Sequence, residues 1–232
     1  MSRALRDLAV GVEPCGNDNR IYKAVIVNKL NRTSTLQRLI TAPLAAFMLL
    51  AIFNARGAEA HVLGGNFGGF GSGFQHPILG FDHFLAMAAV GIWGAQIGGR
   101  SVWTLPVTFP LIMCIGGVID MSGILVLPYV EAVIACSVLA LGLAIATRWR
   151  PPELLLIPVI AVFAIFHGFA HGIELPQAAD PAAYAVGFVV ATGLIHIFGI
   201  LLGMAVERVN REGATRAVGG LIAASGLAFL IP

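Results

Sequence analysis

Charge is what this sequence most lacks. Asp, Glu, Lys and Arg make up 11% of its 232 residues against 58% hydrophobic ones, whereas a soluble domain is about one quarter charged. Most of its elements must face lipid or one another, so the chain reads as an integral membrane protein. The charge it does carry is unevenly placed. Eight of the fourteen Lys and Arg precede residue 57, and from His61 onward six Arg face eight Asp and Glu. That balance offers no basic surface for nucleic acid or another polyanion. Cysteine is scarce as well: Cys15, Cys114 and Cys136 are the only three, and the last two read as small apolar residues rather than a secreted disulfide framework. No Gly-rich loop ends in Gly-Lys-Ser/Thr, so the chain is not expected to hydrolyse ATP. Nothing in it implies a prosthetic group.

The first sixty residues read as a signal peptide. Lys29, Arg32 and Arg38 form a basic n-region, Leu39 to Phe53 an apolar h-region, and Ala58-Glu59-Ala60 a small-x-small cleavage site, which would leave His61 first. An uncleaved anchor is the alternative, although the apolar run is short for a span. Residues 1–26 are polar and irregular, and a start called too early, with Val25 or Val27 as the true one, accounts for them. Residues 61–76 form a glycine-rich segment expected outside the membrane; six Gly among positions 62–75 predict a mobile lead-in. Residues 77–232 then hold an all-α bundle of six transmembrane helices, near Pro77–Gln96, Val102–Met121, Ile124–Ala146, Glu153–His171, Ala182–Val206 and Ala214–Ile231. Short loops marked by Gly98-Gly99, Pro128, Pro151-Pro152, Pro176 to Pro181 and Asn210 to Gly213 separate them.

The arginines orient this bundle. With His61 outside, the loops after spans one, three and five are cytoplasmic, and they hold Arg100, Arg148, Arg150, Arg208, Arg211 and Arg216, every basic residue beyond the cleavage site. The opposite loops carry Asp120, Glu174 and Asp180 and no Lys or Arg, as the positive-inside rule requires. A multi-pass membrane protein with its mature N-terminus outside follows.

Against this apolar background stand the histidines. All six lie after residue 60, in His76-Pro-Ile-Leu-Gly-Phe-Asp82-His83, His167-Gly-Phe-Ala-His171-Gly-Ile-Glu174, a lone His196, and His61. An ionisable group in hydrocarbon costs roughly 2.5–3.5 kcal/mol even on the lenient insertion scale, so such a cluster marks function. His76, Gly80, His83 and Met87 follow i, i+4, i+7, i+11, and His167, His171 and Glu174 follow i, i+4, i+7. Each set therefore predicts one helical stripe. Two imidazoles a turn apart chelate one divalent transition metal ion; Asp82 either binds directly or orients His83. Orientation places this set in the outer third of the bundle and His196 near or below the midplane, descending as a conduit would. Gly168 with Gly172, and Gly199 with Gly203, are small-xxx-small pairs that permit close helix contact beside the histidines. His76 and His61 also suit interfacial positions, and a neutral His196 suits a hydrogen bond to a neighbouring helix. Asp120 and Glu131 suit the interface, while Met87, Met113 and Met121 suit packing.

The stretches HPILGFDHFLAMAAVGIWGAQIGGR (His76 to Arg100) and FHGFAHGIE (Phe166 to Glu174), with a start at His61, resemble the HupE/UreJ family of hydrogenase and urease accessory membrane proteins. The resemblance covers essentially all of the chain beyond residue 60. It implies a nickel permease, with cobalt for some members, linked to hydrogenase or urease maturation proteins. Its metal-linked residues correspond here to His76, Asp82, His83, His167, His171 and Glu174. The His-x4-Asp-His of the broader nickel and cobalt permeases is similar, but five residues separate His76 from Asp82 here, which argues against that second family.

The expected function is import of Ni²⁺, or Co²⁺, and not an enzymatic one. The competing class is an intramembrane zinc-dependent hydrolase, for which two His at i, i+4, a third His and a carboxylate suffice. His167-Gly-Phe-Ala-His171 lacks the Glu of His-Glu-x-x-His, leaving Asp82 or Glu174 as the base. A metal-dependent docking partner of assembly factors is a third class, for which the short cytoplasmic loops leave little surface.

Overall fold

The computed structural model describes residues 68–173, 180–209 and 212–231. Those residues contain no strand and form seven helices: α1 Gly68–Leu79, α2 Phe81–Ile97, α3 Ser101–Ser122, α4 Val130–Thr147, α5 Glu153–Ile173, α6 Pro181–Val209 and α7 Gly213–Phe229. Helix is what apolar runs of this length must form in lipid, because only a helix or a closed barrel satisfies every backbone polar group internally. The signal peptide, His61 and Glu174 lie outside the described residues.

Four helices, α3 to α6, are each long and apolar enough to cross a membrane. The first expected span is instead a broken pair: α1 and α2 meet at Gly80 with a 77° bend and together pass as a fifth. Helix α7, at 17 residues, is apolar but shorter. The six expected spans are thus met in part. The third expected span also begins later, at Val130, because Pro128 disfavours helix before it and Tyr129 takes a left-handed φ of 57°.

Helix α2 is the centre. Twelve of its seventeen residues are buried, and it packs on α3, α4 and α6 with lesser contacts to α1 and α7. Around it α3 pairs with α5, α4 with α7, and α1 with α6. Between lipid-embedded helices apolar burial supplies little drive, so close backbone approach must hold these seams. Gly168 of α5 lies on the Met113 backbone of α3, Gly199 of α6 on Ala88 of α2, and Gly142 of α4 on Ala223 of α7. Gly172 backs onto the Asp120 side chain, and Gly203 onto Ile92 and Ala95. Both glycine pairs predicted to allow close contact do so.

One expectation is corrected here. From residue 68 onward the glycine-rich lead-in is helix α1, and its glycines are packing surface. Gly73 sits on the Tyr184 backbone, and Gly187 of α6 sits on Phe70. On the outside of the bundle Trp103, Val107, Leu111, Ile115 and Val118 form an exposed apolar stripe along α3, suited to lipid. Cys114 and Cys136 are exposed free thiols.

A candidate metal pathway lined by imidazoles

The break at Gly80 has a local signature. In an unbroken helix the backbone N–H of His83 would donate to the Leu79 carbonyl; here it donates to Asp82 Oδ1 at 2.8 Å, and Gly80 takes an extended conformation as N-cap of α2. Asp82 in that first turn also favours the positive end of the helix dipole. The helical bonds persist on either side, from Gly80 N–H to His76 and from Phe84 N–H to Gly80. His76 and His83 therefore share no single helical stripe, contrary to the spacing argument. The bend brings them together instead, with ring centroids 6.5 Å apart.

The same Asp82 Oδ1 accepts a 2.8 Å hydrogen bond from His83 Nδ1. A carboxylate can only accept, so Nδ1 carries a proton, and in the neutral ring Nε2 then holds the lone pair that a metal requires. Of the two roles open to Asp82, the geometry is that of orienting His83. His167 is fixed in the same sense: its Nδ1–H donates to the Phe163 carbonyl one turn back at 2.8 Å. Its Nε2 is buried with no hydrogen-bond partner among the described residues.

Four imidazoles then meet. His171 stands 4.8 Å from His76 and 4.4 Å from His83, and His83 stands 5.2 Å from His167, all between centroids. His83, His167 and His171 are buried and His76 is half-buried. His171 lies in the last turn of α5, whose C-terminal carbonyls present partial negative charge suited to a cation. Phe188 of α6 covers His171 at 4.3 Å, and Tyr184 lies 6.1 Å from His76. No group of three or more His, Cys, Asp or Glu among the described residues stands arranged to hold a metal ion; His76 meets His171, and His83 meets His167, edge to face, while His83 and His171 are tilted by 51°.

His196 stands apart from these four. It is buried, and the Phe109 ring of α3 touches both it and the cluster, 5.7 Å from His196 and 5.3 Å from His167. The succession runs His76, His171, His83, His167, Phe109, His196. Phe109, Tyr184 and Phe188 escape sequence reasoning, because an aromatic residue in an apolar run looks like any other packing residue. Toward the opposite end of α6, Glu207 pairs with Arg148 at 3.1 Å. Glu131 is exposed in the first turn of α4.

The HupE / UreJ protein family model matches residues 47–229. The chain belongs to the HupE/UreJ family. It is 41% identical over 194 residues to Protein HupE of Rhizobium leguminosarum bv. viciae, a match covering 83% of this chain and 97% of that protein. No solved structure matches. Family and helices together make it a multi-pass membrane protein.

Proposed function

We propose that the chain is a permease of the bacterial cytoplasmic membrane that carries Ni²⁺, or Co²⁺, from the periplasm to the cytoplasm to supply hydrogenase or urease maturation. The observation that carries this reading is the meeting of His76, His83, His167 and His171 inside an apolar helical bundle of a HupE/UreJ member. Imidazole nitrogen suits these ions, and Asp82 adds the charge that orients His83. The reading also assigns Glu174, which follows His171 by three residues, and His61 to the ligand series. A site that closed a full ligand shell would trap its ion, so rings that must each turn to bind suit passage. The membrane potential suffices as a drive, because two charges moving inward gain about 4.6 kcal/mol per 100 mV.

In this reading the bent pair counts as one span and α7, about 25 Å long at 1.5 Å per residue, as the last, making six. A cleaved signal peptide puts the His76 end in the periplasm and the arginine-bearing loops in the cytoplasm. The hydrolase alternative gains nothing from the site, since Asp82 Oδ1 is engaged by two donors of His83. The deciding experiment is uptake of radiolabelled nickel and cobalt by cells expressing the chain, with zinc and copper as competitors. Accumulation no greater than in cells lacking the protein would end the transport reading.

Two substitutions separate stages of the path. His196→Ala is expected to slow uptake while purified protein still binds nickel at equilibrium, because the four-ring cluster is intact. Loss of that binding would put His196 in the first site. His61→Ala is expected to impair uptake at low external nickel and much less at saturation, since a free α-amino group of pKa about 7.7 and its own imidazole chelate together at neutral pH. Equal impairment at all concentrations, or mass spectrometry showing residues 1–60 retained, would remove that capture role.

A further inference from the structure

Thr192 departs from the pattern of five other hydroxyls in this bundle. Thr104, Ser122, Ser137, Thr147 and Ser225 each donate to a carbonyl three or four residues back on their own helix. That is the usual way to satisfy a hydroxyl in an apolar helix. Thr192 is fully buried, and its Oγ1 has no hydrogen-bond partner among the described residues. Leaving a buried hydroxyl unmatched costs stability, whereas an apolar group of the same shape would cost none. One turn later stands His196, 1% exposed, with an Nε2 that likewise has no partner among those residues.

Their placement joins them to the pathway. Tyr184, Phe188, Thr192 and His196 follow one another at four-residue intervals on α6, so each adjoins the next along a ridge of the helix, and all four are buried. The first two lie against His76 and His171, and the last against Phe109. Side chains on a helix lean toward its N-terminus, so the imidazole at 196 tips back over the turn that holds Thr192. Residues so spaced have Cβ atoms about 5–6 Å apart, within reach of one ion with bonds of about 2 Å.

We infer that Thr192 Oγ1 and His196 Nε2 form a second cation station on α6, between the four-histidine cluster and the far end of the bundle. The inference rests on the transport reading and adds to it an oxygen ligand. A neutral hydroxyl takes the place of one water of the hydrated ion and releases it readily, which a carboxylate at that depth would not. Oxygen beside a single imidazole nitrogen suits Ni²⁺ or Co²⁺ with water completing the shell, and gives copper(I) no soft donor.

The test is nickel uptake by the full chain in proteoliposomes under an imposed potential, together with thermal unfolding of the same preparations. Thr192→Val is expected to lower the maximal uptake rate about tenfold, with half-saturation unchanged and the unfolding midpoint equal or higher. Thr192→Ser is expected to restore at least half of the rate. The pair Thr192→Val with His196→Ala should be no slower than His196→Ala alone, because two ligands of one station do not add. Uptake at the wild-type rate in Thr192→Val overturns the station. So does a lowered midpoint that Thr192→Ser does not repair, which marks a structural hydroxyl. Wild-type proteoliposomes that take up neither nickel nor cobalt refute the transport reading itself, an outcome distinct from both.

Discussion

Replacing His83 or His171 with alanine is expected to reduce nickel accumulation to that of cells lacking the protein, while the variant remains in the membrane. His171 joins the set, with His76 on one side of it and His83 on the other. His83 in turn links His171 to His167. Removing His83 takes out the ring that joins His167 to the others, and removing His171 leaves His76 and His83 facing each other only across 6.5 Å. His167→Ala is expected to do the same, since its proton is fixed on Nδ1 by the Phe163 carbonyl and its Nε2 is buried with no competing bond among the described residues. Asp82→Ala acts through His83, freeing both the ring and the backbone N–H that the carboxylate holds. Asp82→Asn retains an oxygen acceptor but loses the charge, so a loss of about 10–100-fold is expected, the range for partners that orient a metal-binding histidine. The check is radiolabelled nickel uptake normalised to membrane-resident protein. Wild-type accumulation in two or more of the four alanine variants would defeat the assignment of these residues to the metal.

The sequence shows helices far better than it shows their breaks. Spans two, four and five are legible to within a few residues, because a run of about 20 apolar residues in lipid has one way to satisfy its backbone. The bend at Gly80 is not, since the four-residue spacing of His76, Gly80, Phe84 continues across it and hydrogen bonds follow that spacing on each side. At the break a side chain, Asp82, takes up the His83 backbone N–H that a helix start leaves free, and periodicity carries no trace of that bond. Helix α1 was hidden for the opposite reason. Glycine counts as conformational freedom when the chain is read alone, whereas against α6 it is the one residue that lets Gly73 reach the backbone of Tyr184.

The candidate site was legible as a list of residues and illegible as an arrangement. Intramembrane histidines announce themselves by cost, so His83, His167, His171 and His196 could be named from the sequence. Which of them meet depends on three helices crossing. Phe109, which links His167 to His196, comes from α3, where neither motif lies. Thr192 had a faint signal, a hydroxyl one turn before a buried histidine.

Gly168→Ala is the substitution expected to damage the fold most for its size. A Cβ at this position would stand 2.7 Å from the Met113 carbonyl carbon and 2.9 Å from its Cα, closer still to the carbonyl oxygen, and all three are backbone atoms of α3 that no rotamer change can move. Helices α3 and α5 must then separate along a seam that Gly116 forms from the other side against Ile165 and Phe169. Overpacking of this kind costs about 1–3 kcal/mol and sometimes more, and the upper end is expected where backbone meets backbone. His167 precedes the glycine, so the displacement also carries its ring away from His83, and uptake should fall with stability. Gly220→Ala supplies the comparison, because a Cβ there meets nothing within 4 Å. Alanine is the better helix former by up to about 1 kcal/mol, so that variant should unfold at the wild-type midpoint or slightly above it. Thermal unfolding of the two variants in detergent, with helicity followed by circular dichroism, makes the measurement. A Gly168→Ala midpoint equal to that of Gly220→Ala would mean that the α3 and α5 backbones do not approach as closely as this seam requires.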